Sequence, residues 1–171
     1  MRFRRLLSPA LALAFALPLT LPLAGCLGNS TITEPPPATA TVEGTTFAPS
    51  LGIDLTAAGW TKTQTGLYYR TLNTPATTAA TVAAGQQVTV RYTLWLSDGT
   101  LITPTAATIG PIAIGTGQLI PGWEQGVVGM RVGEQRRLLV PPALAYGAYG
   151  QGSLIPGNAV LVFDVEVLSA S

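Results

Sequence analysis

An α+β domain, an antiparallel sheet against one short helix, is what the sequence predicts, and three observations predict it. Val88, Val90, Tyr92, Leu94 and Leu96 alternate with Thr89, Arg91, Thr93 and Trp95, the period-two pattern of a half-buried strand. Ile120, Trp123, Val127 and Met130 fall at helical spacing and give one short helix with a single apolar face. Near the end, Leu161, Phe163, Val165 and Val167 share one strand face while Asp164 and Glu166 take the other. About five strands and one helix, without a βαβ alternation, make an antiparallel α+β fold.

Composition sets the outer limits. The chain has 171 residues, room for one domain plus an appendage, and it contains no histidine and one cysteine, Cys26. Ser-His-Asp and Cys-His nucleophilic pairs, histidine metal motifs, cysteine zinc clusters and an internal disulfide are all excluded. No cofactor or metal is expected. Three of the nine basic residues, Arg2, Arg4 and Arg5, lie in the first turn of sequence, leaving six bases against eight acids in the rest. Near-neutrality without a block of like charge gives no electrostatic footprint for nucleic acid.

Taken in order, Met1 to Ala24 combine a basic start, an apolar run and a small-residue end, which is an export signal. Pro9, Pro18 and Pro22 interrupt the run, so a permanent transmembrane helix is the poorer reading. Residues 27–46 are rich in Thr, Ala and Pro around Pro35-Pro36-Pro37, and read as a disordered tether. Fully stretched, about twenty residues would reach roughly 60 to 70 Å. The remainder, residues 47–171, is the folded domain with an N-terminal extension. Phe47 to Trp60 regains hydrophobicity and is expected to pack against the edge of the domain.

Gly66 to Leu72 has strand character, and Asn73 to Gly85 reads as a Thr/Ala-rich loop. The Val88 to Leu96 strand ends at the turn pair Asp98-Gly99. Ile112 to Ile114 is a short strand entering Gly115-Thr116-Gly117, which is a turn, since a dinucleotide-binding motif would need a third glycine where Ile120 stands. Gly126 and Gly129 each cost the helix about 1 kcal/mol relative to alanine, so packing must hold it. Gln135 to Val140 is a strand stopped by Pro141-Pro142, and Val160 to Leu168 is the last.

Two resemblances add to this reading. Leu23-Ala24-Gly25-Cys26 resembles the lipobox of bacterial lipoproteins, which would make residues 1–25 the cleaved signal and Cys26 the lipidated residue. Multiple acyl chains suffice for stable anchoring, and Leu27 after the cysteine implies an outer-membrane destination facing the periplasm. An ordinary secretory signal with an incidental cysteine is the alternative. Further on, Ile-Pro-Gly-Trp-Glu from Ile120, Gly-Met-Arg-Val-Gly-Glu from Gly129, Ala145-Tyr146-Gly147 and Leu-Val-Phe-Asp-Val-Glu from Leu161 stand in an order that resembles the FKBP-type peptidyl-prolyl cis/trans isomerases. The likeness covers roughly Gly66 to Leu168 and implies a twisted antiparallel sheet wrapped around one short helix.

The resemblance implies catalysis of X-Pro rotation by Tyr92, Trp123, Tyr146 and Phe163, with Ile102, Leu119, Ile120 and Ile155 binding substrate. Trp123 would be the floor under the proline ring, and Tyr92, Leu119, Ile155 and Phe163 the walls. The Ile120 N–H and the Tyr146 hydroxyl would donate to peptide carbonyls. Buried Trp and Tyr also demand polar partners. Partners would be proline-containing polypeptide clients and the membrane, and the protein is expected to be a monomer.

The sequence departs from the family after Asp98-Gly99, where Ile102 and Thr103 replace the usual Phe-Asp pair, and a third pocket aromatic falls on Gly110. Gln151 sits at a loop position that varies. These departures imply reduced isomerase activity and poor binding of the family's macrolide inhibitors. A non-catalytic proline-peptide binding or chaperone module is the alternative, and a purely structural envelope lipoprotein a third reading.

Overall fold

The computed structural model describes residues 37–103 and 107–171; the export signal, Cys26 and the first part of the expected tether lie outside them. Six strands, β1 (Thr61–Lys62), β2 (Tyr68–Thr71), β3 (Gln87–Leu96), β4 (Ala107–Ala113), β5 (Gln135–Val140) and β6 (Leu161–Ala170), form one sheet. Its order is β1-β2-β5-β6-β3-β4, with every neighbour antiparallel. The one α-helix, α1 (Pro121–Val127), packs against β5.

Strand register follows side-chain alternation. Tyr92 stands opposite Val165, and Leu94 and Leu138 flank Phe163 from the two sides, so one sheet face carries the main core. Trp95 and Leu139 flank Val162 on the other face. Phe47, Leu51, Ile53, Leu55 and Trp60 cover that face, together with Val42, over Leu139, Val160 and Val162. The N-terminal extension therefore lies on the back of the sheet rather than at its edge, because Leu139 and Val162, fully buried, are apolar positions that a one-sided sheet would leave wet.

The expected tether is correspondingly too long at its C-terminal end. Val42 is 1% exposed, the Thr39 N–H donates to Asn158 Oδ1 at 3.2 Å, and Tyr68 donates its hydroxyl to Glu43 at 2.9 Å. Glu43 also pairs with Lys62. One valine and one carboxylate with placed partners outweigh a Thr/Ala-rich surrounding that by itself predicts disorder. Arg137 ties the extension down from the sheet side, with two bonds to Asp164 at 2.6 and 2.7 Å and one to the Leu51 carbonyl at 2.6 Å.

α1 starts at Pro121, whose missing N–H costs nothing at a first helical position. It ends at Val127: Val128 has left the helical region, and Gly129 has φ +81°. Gly129 and Met130 thus lie beyond the helix, and Gly129 stops it rather than weakening it, since the left-handed residue after the cap favours glycine. Gly126 is inside, for a reason of contact. A Cβ there would sit 2.7 Å from Leu138 Cδ1, so glycine lets the helix lie close on β5.

The Gly-Met-Arg-Val-Gly-Glu stretch is structural. Glu134 and Arg136 are 5% and 8% exposed, and Arg136 donates twice to Glu134 Oε1 at 3.0 and 2.7 Å. The remaining donors and acceptors are also used. Arg136 Nη1 reaches the Gly126 carbonyl at 2.8 Å, Glu134 Oε2 accepts the Arg131 N–H at 3.0 Å, and Thr71 donates to Glu134 at 3.0 Å. This pair joins the helix end to the sheet and satisfies the condition under which a buried ion pair is tolerated.

Candidate functional site

Where α1 crosses the main sheet face, three rings meet. Tyr92 and Trp123 lie edge to face with centroids 4.9 Å apart and planes at 88°, Trp123 and Phe163 at 5.4 Å and 82°, and Tyr92 and Phe163 at 6.4 Å. Each arrives by a different route: Tyr92 on β3, Phe163 on β6, and Trp123 on the buried face of α1. Such edge-to-face contacts stabilise the cluster beyond simple burial. The rings border a cleft with two adjoining lobes that share Tyr92, Leu94, Tyr146 and Gln151.

The first lobe, 340 Å³, is bounded by Tyr92, Ile109, Leu119, Ile120, Trp123 and Phe163 among others. The second, 470 Å³, is bounded by Ile102, Thr103, Leu154 and Ile155 together with the shared residues. All eight domain residues singled out from the sequence therefore line one cleft, with Leu119, Ile120 and Trp123 in the first lobe and Ile102 and Ile155 in the second. Cys26 lies outside the described residues. A smaller hollow of 170 Å³ on the back of the sheet has charged walls, including Arg91 and Glu166, which pair with each other. Its charges are spent in ion pairs, Arg91 with Glu166 and Asp164 with Arg137, whereas the aromatic cleft offers apolar walls with a few unspent donors, the usual makeup of a binding site.

Those donors are specific. The Ile120 carbonyl accepts the Trp123 N–H at 2.9 Å, starting the helix. The Ile120 N–H has no hydrogen-bond partner among the described residues and stands at the helix entrance beside the first lobe. Burial, and to a lesser degree the neighbouring Tyr92 phenol, pushes the Tyr146 hydroxyl above its ordinary value of 10.0, so it remains a neutral donor. Glu124 holds the approach loop in place by accepting the Gly117 N–H at 2.7 Å. That turn carries Leu119 and Ile120 into the lobe.

Three sequence expectations need correction. Trp123 Nε1 is buried and has no partner among the described residues, contrary to the demand for one; the indole's ring neighbours, Tyr92 and Phe163, are aromatic. The cost of such an orphan is about 1 to 3 kcal/mol. Gly110 is not a vacant aromatic position. It lies in a bulge of β4 with φ +129°, where a Cβ would be 2.4 Å from the Val88 carbonyl oxygen, and the neighbouring Ile109 faces the cleft instead. Thr103 is not simply a lost carboxylate: its hydroxyl accepts the Leu94 N–H at 2.9 Å. Ile109, Leu94, Gln118, Gln151 and Leu154 were missed as lining residues. Leu94 was legible from its strand phase; the bulge that turns Ile109 inward had no sequence signal.

The profile of the family described as FKBP-type peptidyl-prolyl cis-trans isomerase matches residues 78–168, more than half of the chain. The chain belongs to that isomerase family. It is 44% identical over 86 residues to an FK506-binding protein of Neisseria meningitidis serogroup C, covering 49% of this chain and 79% of the relative. It is 47% identical over 87 residues to FK506-binding protein 2 of Yarrowia lipolytica, covering 50% of this chain but only 60% of that relative's length. Among solved structures, FkpA from Escherichia coli matches with a TM-score of 0.59 and 29% identity, over 68% of this chain and 53% of that one. AtFKBP13 matches at 0.57 and 27%, over 66% of this chain and 98% of that one. The six-strand antiparallel sheet with one helix is the FKBP fold.

Proposed function

We propose that this FKBP-type isomerase accelerates X-Pro rotation in polypeptide clients of the cell envelope, and does so more slowly than relatives carrying the Phe-Asp pair. The observation that carries the reading is the Tyr92–Trp123–Phe163 cluster beside the unpartnered Ile120 N–H. Rotation breaks amide resonance over a barrier of about 18 to 20 kcal/mol. A planar amide is more polar than a twisted one, so a dry apolar lobe disfavours the former relative to the latter. Trp123 takes the face of the proline ring, Ile120 N–H holds a flanking carbonyl, and Tyr146 donates to a second. No proton is transferred. A ten-thousandfold gain needs about 5.5 kcal/mol of differential transition-state binding, which these contacts must supply jointly.

Reduced turnover is supported by Thr103, which lines the second lobe with Tyr92, brings no carboxylate there, and accepts the Leu94 N–H with its hydroxyl. The same observation favours a second reading, a proline-peptide binding module without turnover. Weak macrolide binding follows from the same change. Leu23-Ala24-Gly25-Cys26 supports lipid anchoring at an envelope membrane, outer rather than inner by the residue Leu27; Cys26→Ser should then move the protein out of the membrane fraction. The decisive assay is tetrapeptide isomerisation by the full chain, by Trp123→Ala and by Thr103→Asp. Turnover that disappears in Trp123→Ala supports the enzyme reading. A wild type without turnover, with activity gained in Thr103→Asp, would replace it with the binding-module reading.

A further inference from the structure

We infer that one end of the sheet rests on the lipid bilayer, with Tyr149 and Leu154 entering its interfacial layer. The inference rests on the lipid-anchoring reading of Cys26 and adds to it a second contact, made by the folded domain itself. Among the described residues the three most exposed large apolar side chains are Tyr149 at 70%, Leu154 at 63% and Leu101 at 48%. All three belong to one end of the sheet. Leu96, Leu161 and Val140 are register neighbours there, so the segment after β3, with Leu101, and the segment between β5 and β6, with Tyr149 and Leu154, emerge side by side. From Leu138 to Phe163 the sequence holds no charged residue. Asp98, in the turn before Leu101, directs its carboxylate to the Thr100 N–H. An uncharged loop that displays a leucine and a tyrosine suits a membrane interface, where an amphipathic ring sets its body in lipid and its hydroxyl in water.

The loop backbone holds these side chains outward. Reciprocal bonds between Gln151 and Ile155, at 2.8 and 3.1 Å, close its tip. Gly150 and Gly157 permit the close packing beneath it, since a Cβ on either would lie 2.0 Å from a carbonyl oxygen, that of Ile155 or Ala148. What selects a bilayer over any other occupant is where the tether joins the domain. The Thr39 N–H donates to Asn158 Oδ1 at 3.2 Å, and the Asn158 N–H donates to the Gly147 carbonyl at 3.0 Å. The tether therefore meets the domain at the base of this same loop. Thr39 stands thirteen residues after Cys26, at most about 45 Å of chain. A lipidated Cys26 thus keeps the loop at high effective concentration over the membrane, and a contact too weak to bind by itself is still made. The second lobe of the cleft, bordered by Leu154, is then presented to polypeptide segments at the membrane surface.

The test uses the full chain, expressed with its signal and reconstituted into phosphatidylcholine vesicles. Cys26 is the one cysteine, and acylation blocks its thiol, so Tyr149→Cys places a single site for an environment-sensitive fluorophore. Leu168→Cys, at an exposed position toward the other end of β6, is the reference. On vesicles the probe at position 149 should emit further to the blue and be quenched by aqueous iodide several-fold less than the probe at 168. Phosphatidylcholine brominated on its acyl chains should quench the first and spare the second. Adding Leu101→Asp and Leu154→Asp should return the first probe to the iodide quenching of the second, while the lipid keeps the chain on the vesicles. Equal quenching of both probes in a chain that sediments with the vesicles overturns the inference and leaves the anchoring reading standing. A probe at 149 shielded from iodide yet untouched by brominated lipid also overturns it, since protein then covers the loop. So does a double Asp variant whose probe stays in lipid. A chain whose mass shows no lipid on Cys26 defeats the anchoring reading and the inference with it.

Discussion

Gly126→Ala should destabilise the protein, although helix propensity taken alone says the opposite. Alanine in a helix interior is favoured over glycine by about 1 kcal/mol. Against that, the new Cβ would stand 2.7, 2.8 and 3.3 Å from Cδ1, Cδ2 and Cγ of Leu138, where carbon atoms prefer about 3.5 to 4.0 Å. Leu138 is fully buried and cannot swing into solvent. Helix and strand must therefore separate by about 1 Å, and overpacking of this kind costs about 1 to 3 kcal/mol. The same movement stretches the 2.8 Å bond from Arg136 to the Gly126 carbonyl, a further loss of about 1 kcal/mol. The net expectation is a loss of about 1 to 3 kcal/mol, read as a lower midpoint in urea at unchanged slope. Trp123 lies one turn earlier on the same buried face, so kcat/KM for a Leu-Pro peptide should fall as well. In a Leu138→Val background the clash is relieved and Gly126→Ala should become neutral or stabilising. A midpoint that rises in the single variant would refute the close-approach argument and leave propensity in command.

Three further outcomes follow from the same packing. Val42→Ala, in a segment whose composition predicts disorder, should cost about 2 kcal/mol because it empties a fully enclosed position on the back of the sheet; a cost near zero in a urea titration would return that segment to the tether. Hydrogen bonding to Lys62, then to its own backbone and to Tyr68, lowers the Glu43 carboxyl from 4.5 to about 2. A carboxylate depressed in the folded state stabilises above its unfolded value and loses that contribution as pH falls from about 4.5 to about 2, so Glu43→Gln should flatten the acid limb of stability in that window. Because Glu43 is 41% exposed, screening keeps the effect below about 1 kcal/mol. Arg136→Met should cost about 3 to 5 kcal/mol by leaving Glu134 buried and unpaired, whereas the double change Arg136→Met with Glu134→Gln should recover part of the loss; equal losses in both would assign the effect to packing of Arg136 against Tyr69.

Local rules place the helix and most of the strands, whereas the cleft residues come from the resemblance; β1 carries no such pattern, and β4 begins at Ala107 rather than at Ile112. Alternation over Val88 to Leu96 fixes which side chains share a face, and helical spacing from Ile120 to Val127 places Trp123 inward. The family resemblance then pointed to Tyr92, Trp123, Tyr146 and Phe163, and these do meet at one cleft. What the tertiary structure decided depends on contacts distant in sequence. Val42 leaves the disordered class because Leu139 and Val162, about a hundred residues away, need covering. Gly129 ends the helix rather than weakening it, through a backbone angle that composition cannot reveal. Ile109 replaces the expected pocket position at Gly110 because an extra residue in β4 shifts its register against β3, and Thr103 spends its hydroxyl on the Leu94 N–H. Local periodicity says which way a side chain points along its own element; only the packed sheet says what it meets there.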